Sequence, residues 1–133
     1  MIIGFGIDIH DFRGFERDFR RFIVEFTEAE IALCEGRQGA ERIAAYTKRW
    51  VAKEATMKAL GSNDVVGGVS LKEIEVVPTK SGRPTLRLHG GAVRQFKAIT
   101  PPGMFCCAHL TISDYWPTAV AAVVIEARTC LGG

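Results

Sequence analysis

The chain has 133 residues and a mass of 14.6 kDa, a length that fits one domain and leaves little room for two. Its 17 basic and 15 acidic side chains give a net charge of +2, which is too small for a protein that binds nucleic acid with its whole surface. No apolar run approaches the roughly 18 residues of a membrane-spanning helix, and the N-terminus lacks the features of a secretory signal. We therefore expect one cytoplasmic domain over 1–133 that contacts neither membrane nor nucleic acid.

The cysteines have no spacing typical of a zinc or redox site, because none are paired two to four residues apart and two are directly adjacent. They are Cys34, Cys106, Cys107 and Cys130. We expect free thiols, as in a reducing cytosol.

Four apolar side chains alternate with two glycines and one carboxylate near the N-terminus. The order is Ile3, Gly4, Phe5, Gly6, Ile7, Asp8 and Ile9. Alternate residues of a strand face opposite sides, so one face is apolar and the other is bare except for Asp8. A bare glycine face allows another backbone or a ligand to approach closely.

Two helices are predicted in the middle of the chain. Thr27 and Glu30 have the spacing of a capping box at a helix start. A long helix is expected over 40–60, which contains neither Pro nor Gly, and Gly61 follows as a C-cap. Trp50, on this helix, is expected to pack between helix and sheet.

The second half of the chain is predicted to be mainly strands. The expected order is a strand over 71–77, a turn over 80–83, a strand over 84–88, a helix over 91–99, and strands over 106–112 and 119–126 joined by 113–117. This order predicts an α+β fold with a largely antiparallel sheet packed against one long helix. The nearly continuous apolar run at 120–125 predicts a strand that is buried on both faces.

The long helix lies in the most basic part of the chain. Residues 36–60 carry six basic and two acidic side chains, a local charge of +4, whereas 1–35 carry four basic and eight acidic, a local charge of −4. Glu54 and Lys58 are four residues apart and share one helix face. This pattern alone is explained either by a solvent-exposed face with a weak Glu54–Lys58 pair or by a site for a charged ligand.

Asp8 and Glu54 suggest what that ligand is. Mg²⁺ prefers oxygen ligands, takes one or two carboxylates, and completes its octahedron with water and substrate phosphates. Basic side chains nearby would neutralise the phosphates. Both interpretations stay open, since the pattern does not show that the two carboxylates meet.

Five stretches carry a resemblance to a known family. They are Gly-Ile-Asp-Ile at 6–9, Arg-Trp-Val-Ala-Lys-Glu-Ala-Thr-Met-Lys-Ala-Leu-Gly at 49–61, Ile-Glu-Val at 74–76, Gly-Arg-Pro-Thr-Leu-Arg-Leu at 82–88, and His-Leu-Thr-Ile-Ser at 109–113 leading into Ala-Val-Ala at 119–121. Together they resemble the holo-acyl-carrier-protein synthases, the small bacterial-type 4′-phosphopantetheinyl transferases, over nearly the whole chain. The Trp-x-x-Lys-Glu-x-x-x-Lys core and the N-terminal Gly-Ile-Asp are specific to that superfamily.

The resemblance implies a Mg²⁺-dependent reaction in which the 4′-phosphopantetheine arm of coenzyme A moves to a serine of apo acyl carrier protein. Adenosine 3′,5′-bisphosphate is released. Asp8 and Glu54 match the metal carboxylates, and Lys58 matches a group beside the diphosphate, so these three form the expected catalytic set. Either a metal-bound water or a carboxylate accepts the serine proton, and we favour Glu54.

The resemblance also implies the residues that contact coenzyme A. They are Arg49, Lys53, Lys58, Gly82, Arg83, Pro84 and His109. The turn at 82–84 is expected to line the adenine and 3′-phosphate region. Lys53 is either a further phosphate ligand or a solvated neighbour.

Two kinds of partner follow from the resemblance. The acyl carrier protein is acidic, and its expected docking residues are Arg13, Arg17, Arg20 and Arg21. Acidic residues are interleaved with them, so a mixed solvated helix is the alternative. The family forms homotrimers with active sites between subunits, which would suit so small a chain.

The sequence departs from the family in two places. Ser62 and Asn63 replace a Gly-Thr-Gly loop, and Asp114, where many relatives carry a second histidine, is interpreted as a turn cap. Two other functions also stay open. One is a non-catalytic module that binds coenzyme A or another nucleotide. The other, disfavoured by the weak net charge, is nucleic-acid binding through 36–60.

Overall fold

A computed structural model describes residues 1–61 and 68–130, so the Ser62–Asn63 departure lies outside the described residues. Its elements are β1 (Ile2–Asp11), α1 (Phe12–Arg17), α2 (Phe19–Phe22), α3 (Glu28–Glu35), α4 (Gly39–Ala59), β2 (Ile74–Pro78), β3 (Pro84–Leu88), α5 (Gly90–Ile99), β4 (Met104–Tyr115) and β5 (Thr118–Thr129). Short 3₁₀ turns lie at Ile23–Glu25 and Leu71–Glu73. The predicted α+β fold with one long helix is confirmed.

Three strands form an antiparallel sheet in the order β1-β5-β4, and β2 pairs with β3 in a separate hairpin. The helix α4 packs across the three-stranded sheet. One face of β5 is fully buried against it, through Ala119, Ala121, Val123 and Ile125. The other face of β5 is only half-buried. The prediction that this strand is buried on both faces is therefore wrong for a single chain.

β1 packs directly on the backbone of α4. A Cβ on Gly6 would overlap the carbonyl oxygen of Ala55, and a Cβ on Gly4 would overlap that of Ala59. The bare face of the strand is thus approached by another backbone, one of the two possibilities that its glycines indicated. Because Asp8 follows Gly6 by two residues, its side chain points to the same side, toward α4.

Aromatic rings pack the segment that follows β1 onto the first half of α4. Phe15 and Phe26 are fully buried and contact both Tyr46 and Trp50, which confirms that Trp50 packs in the core. Such ring pairs contribute roughly 0.5–1.5 kcal/mol each beyond the area that they bury. The cluster fixes the short helices α1 and α2 on the surface of the molecule.

Local predictions agree with the structure except at one turn and one strand start. The strand predicted over 71–77 begins only at Ile74, because Leu71–Glu73 form a 3₁₀ turn. The capping box is present, with Glu30 N–H donating to Thr27 Oγ1 at 3.2 Å and Thr27 N–H donating to Glu30 Oε1 at 2.9 Å. The turn predicted at 113–117 is shorter, because β4 continues to Tyr115 and pairs with Thr118. All four cysteines are free thiols, as predicted.

Among residues 1–61 and 68–130, no helix has the length and apolar character needed to cross a bilayer.

We expect Gly6→Ala to lower the free energy of unfolding by about 1–3 kcal/mol or more, because its Cβ would push against helix backbone. Urea unfolding measures this change. Gly14→Ala, in α1, is the matched control: its nearest atoms would be side-chain ends 3.8 Å away, and alanine favours helix, so it should be neutral or stabilising. An unchanged unfolding midpoint for Gly6→Ala would contradict the close contact.

Candidate functional site

The crossing of β1 and α4 brings a carboxylate and a cation together. Lys58 Nζ lies 3.1 Å from Asp8 Oδ1 and donates to the carbonyl of Ile7 at 2.9 Å. The Asp8 side chain is 18% exposed and that of Lys58 is 53% exposed, so both remain accessible to a ligand. The flexible stem of Lys58 lets its ammonium move from Asp8 to a phosphate without repacking the core.

Glu54 belongs to the same crossing. It lies on α4 one turn before Lys58, and it directly precedes Ala55, whose carbonyl faces Gly6. Its side chain is half-buried. The fold therefore gathers Asp8, Glu54 and Lys58 in one neighbourhood, although 46 residues separate the two carboxylates in sequence.

The donors at this point fit Mg²⁺. Two carboxylates with access to solvent provide hard oxygen ligands and leave coordination positions for water and substrate phosphate. Asp8 and Glu54 are the residues that would hold such an ion. Lys58 would share with it the charge of a bound phosphate group.

A cleft of about 340 Å³ opens between α4, the β2–β3 hairpin and β4. Its lining residues are Arg37, Lys48, Arg49, Val76, Pro78, Gly82, Pro84, Ile112 and Asp114. Three cations and a single carboxylate make the cleft positively charged. Its shape and charge suit a phosphate-bearing ligand.

Arg49 marks where an anion would bind in this cleft. Its Nη1 donates to the carbonyl of Ala45 at 3.1 Å, while its Nε, within the described part of the chain, is buried without a hydrogen-bond partner. A buried donor without an acceptor costs about 1–3 kcal/mol. A shift of the Arg49 side chain that lets a phosphate oxygen reach Nε would remove that cost, so the site favours an anionic ligand.

The structure brings together some of the residues expected to bind coenzyme A. Arg49, Gly82 and Pro84 line one cleft, whereas Arg83 is exposed on the adjacent turn. Sequence reasoning did not assign Arg37 and Lys48 to this site. Both residues contribute to the positive charge of 36–60. That charge did not show that they line the cleft, because the lining depends on how the β2–β3 hairpin folds back against α4.

Asp114 lies in the cleft, so its interpretation as a turn cap is wrong. It belongs to β4, and its Oδ1 is 3.8 Å from Lys48 Nζ. Side chains alternate along the strand, so Ile112 and Asp114 share the face toward the cleft. The carboxylate lowers the positive charge that Lys48 presents to a ligand.

His109 lies on the other face of β4, away from the cleft. Its Nε2 is 3.0 Å from Glu126 Oε1, and its side chain is 55% exposed. In the sheet, His109 pairs with Val124, which pairs with Phe5. Paired residues point to the same side, so His109 borders the apolar outer face of the sheet.

Lys53 is neither solvated nor able to reach a phosphate. Its side chain is fully buried, and its ammonium lies 2.7 Å from Glu30 Oε1 and donates to the carbonyls of Leu71 at 3.1 Å and Ile74 at 2.7 Å. These contacts use all three N–H groups. Burial lowers the pKa of Lys53, and the Glu30 carboxylate partly offsets this effect. We therefore remove Lys53 from the candidate phosphate ligands.

The four arginines expected to dock a carrier protein are all exposed: Arg13, Arg17, Arg20 and Arg21. Two of them pair with the interleaved acids, since Arg13 Nη2 is 2.7 Å from Asp11 Oδ2 and Arg17 Nη2 is 3.3 Å from Asp18 Oδ2. The hydrogen bond from Arg13 holds the pKa of Asp11 well below its usual range. Arg20 and Arg21 lie in the last turn of α2.

Residues 4–112 match the family model of the 4′-phosphopantetheinyl transferase superfamily. The chain belongs to this superfamily. It is similar to a holo-[acyl-carrier-protein] synthase from Granulibacter bethesdensis, with 48% identity over 132 residues that cover 96% of this chain and 90% of the relative. It is also similar to a holo-[acyl-carrier-protein] synthase from Paramagnetospirillum magneticum, with 47% identity over 133 residues that cover 96% of this chain and 98% of the relative.

The fold of the chain is also similar to that of a solved structure from this superfamily. The crystal structure of a holo-(acyl-carrier-protein) synthase from Bacillus anthracis str. Ames in complex with CoA (3′,5′-ADP) is similar to this chain, with a TM-score of 0.74 and 32% identity. The similarity covers 95% of this chain and 97% of that one. The family resemblance and the fold class expected from the sequence are both confirmed.

We expect Asp114→Asn to tighten binding of inorganic pyrophosphate, a probe for phosphate-bearing ligands, to this cleft about fivefold at low salt. Removing one charge near Lys48 changes the electrostatic energy by roughly 1 kcal/mol. Lys48→Met should weaken binding by a similar factor, and both effects should shrink in 0.5 M salt because exposed charges are screened. Isothermal titration calorimetry measures the affinities.

Lys97→Met, at an exposed position of α5 outside the cleft lining, is the control and should leave that affinity unchanged. Equal affinities for Asp114→Asn, Lys48→Met and the wild type would show that pyrophosphate does not bind in this cleft.

Proposed function

We propose that this chain is a holo-acyl-carrier-protein synthase that transfers the 4′-phosphopantetheine arm of coenzyme A to a serine of apo acyl carrier protein. The reaction depends on Mg²⁺, releases adenosine 3′,5′-bisphosphate and takes place in the cytoplasm. One observation carries the proposal: the β1–α4 crossing gathers Asp8, Glu54 and Lys58, and α4 also lines a cationic cleft. The similar relatives from Granulibacter bethesdensis and Paramagnetospirillum magneticum, both holo-[acyl-carrier-protein] synthases, support it.

The cleft accepts the nucleotide end of coenzyme A. Arg49 offers its unpaired Nε to a phosphate, and Gly82 and Pro84 provide a wall without long side chains.

The transfer forms a bond between the serine oxygen and the β-phosphorus of coenzyme A, and it breaks the P–O bond to the leaving bisphosphate. Glu54 accepts the serine proton. Lys58 offsets the charge that develops on the leaving phosphate, which is the main demand of phosphoryl transfer. Asp8 and Glu54 would hold a Mg²⁺ ion, which would neutralise part of the charge of the diphosphate.

The acceptor protein docks on the segment that follows β1. Arg13 comes five residues after Asp8, so the basic surface begins beside the proposed catalytic set. Exposed arginines attract the acidic surface of a carrier protein and speed its association. This location brings the acceptor serine to the carboxylates of the proposed catalytic set.

The working form is a homotrimer whose active sites lie between subunits. The outer face of β1 exposes Phe5, Ile7 and Ile9 by 59%, 52% and 66%, and Phe105 of β4 by 45%. A monomeric protein rarely exposes so continuous an apolar surface. His109 borders this face, so in an assembly it contacts the bound nucleotide of a neighbouring subunit.

Mass spectrometry of an apo carrier protein incubated with coenzyme A, Mg²⁺ and this chain should show an adduct of about 340 Da. Glu54→Gln should abolish the adduct and leave the fold intact. Glu41→Gln, exposed in the first turn of α4, is the matched control and should retain activity. A chain that binds 3′,5′-ADP but forms no adduct would instead be a non-catalytic nucleotide-binding module.

Ile7→Glu should convert the trimer to a monomer of 14.6 kDa, because it places a charge in the apolar face. Light scattering coupled to size-exclusion chromatography measures the mass. Val24→Glu, a change at an apolar residue that is 65% exposed outside the sheet, should leave the trimer intact. A monomeric wild type would contradict the assembly.

The shared site has its own test. His109→Ala and Glu54→Gln should each be inactive, and subunits of both kinds unfolded and refolded together should regain activity. A mixed trimer contains an interface with an intact Glu54 from one subunit and an intact His109 from the next. Absence of any recovery in trimers shown to be mixed would place both residues of each site in one subunit.

A further inference from the structure

Lys53 and Glu30 form a buried ion pair one residue away from the proposed catalytic Glu54. Both side chains are fully buried. Glu30 is itself held in place, since its Oε1 accepts from Thr27 N–H at 2.9 Å and its Oε2 accepts from Val76 N–H at 2.9 Å. The carboxylate is thereby fixed to both α3 and β2, so it offers Lys53 a rigid attachment point.

The helix α4 is consequently held on two sides. On one side the carbonyl of Ala55 packs on Gly6, and on the other Lys53 bonds to Glu30 and to the carbonyls of Leu71 and Ile74. Successive residues of an α-helix are turned by about 100° from each other. Glu54 lies between these two attachment points in sequence, so its direction is set by both.

The size of the effect can be judged from helix geometry. A helix has a radius of about 5–6 Å with its side chains, so a rotation of about 10° moves a carboxylate by about 1 Å. Catalytic groups must be held within about 0.5 Å of their working positions, and a displacement of about 1 Å can cost on the order of 100-fold in rate. A small rotation of α4 therefore moves the Glu54 carboxylate farther than catalysis tolerates.

We propose that Lys53 is a positioning residue, whose buried bonds to Glu30 and to the chain at the start of β2 fix the rotation of α4 so that Glu54 faces Asp8. Lys53 then has a role in the site although its buried ammonium cannot contact a phosphate. The inference rests on the proposed function, because it requires Asp8 and Glu54 to bind a divalent cation. It predicts that losing Lys53 weakens metal binding in protein that is still folded.

The test is a titration with Mn²⁺, which stands in for Mg²⁺ and is counted by electron paramagnetic resonance, in the presence of coenzyme A. Lys53→Met keeps an unbranched side chain, one atom shorter, and removes the charge and its hydrogen bonds. We expect it to raise the Mn²⁺ dissociation constant at least tenfold, as the loss of supporting contacts around a metal site does. The temperature is one at which circular dichroism shows every variant folded.

Tyr46→Phe is the matched control. Tyr46 O–H donates to Glu35 at 2.6 Å, and this bond also joins α4 to α3, two turns before Lys53. Its loss should lower stability and change the Mn²⁺ dissociation constant by less than twofold. The double variant Lys53→Met/Glu30→Gln removes the carboxylate charge that Lys53→Met alone leaves buried, so it should regain stability but not Mn²⁺ affinity. If Lys53→Met does not fold, the double variant provides the same comparison of stability with Mn²⁺ affinity.

Two results would overturn the proposal. One is wild-type Mn²⁺ affinity in folded Lys53→Met, and the other is wild-type affinity in the double variant, since either would make the pair a purely structural contact. The variant Asp8→Asn distinguishes an error in the role of Lys53 from an error in the proposed metal site itself. If Asp8→Asn binds Mn²⁺ like the wild type, the metal site assigned to Asp8 and Glu54 is wrong, and the role of Lys53 falls with it.

Discussion

The contact between β1 and α4 is the constraint on which the rest of the site depends. Gly4 and Gly6 allow two backbones to touch, because a Cβ at either position would overlap a carbonyl of the helix. The proposed metal ligands and Lys58 all lie on these two elements. A larger residue in the strand would push the helix away and lengthen the 3.1 Å contact between Lys58 and Asp8.

The same alternation in β1 also accounts for the opposite face of the strand. Residues that leave one side bare for α4 place apolar side chains on the other side, where Phe5, Ile7 and Ile9 are more than half exposed. A chain of 133 residues thus has the carboxylates and the cationic cleft on one side of its sheet and an exposed apolar surface on the other. The site between subunits that we propose would use both faces of β1.

Local patterns in the sequence predicted the local structure well. The strand around 3–9 and the capping box at Thr27 need only neighbours in sequence, and the motif residues identified the family. The burial of Lys53 was not predictable, because helix periodicity tells which residues share a face but not what that face meets. Asp114 was misinterpreted for a related reason: β4 continues three residues beyond its predicted end at 112, and this places the Asp114 side chain in the cleft instead of a turn.

The central claim is that the strand–helix contact brings Asp8 and Glu54 to one metal ion. A crystal structure with coenzyme A and Mn²⁺, recorded at a wavelength where manganese scatters anomalously, tests this claim most directly. The account predicts one anomalous peak bound by oxygens of both carboxylates and by the diphosphate. A peak bound by only one of the two carboxylates, or by neither, would contradict it.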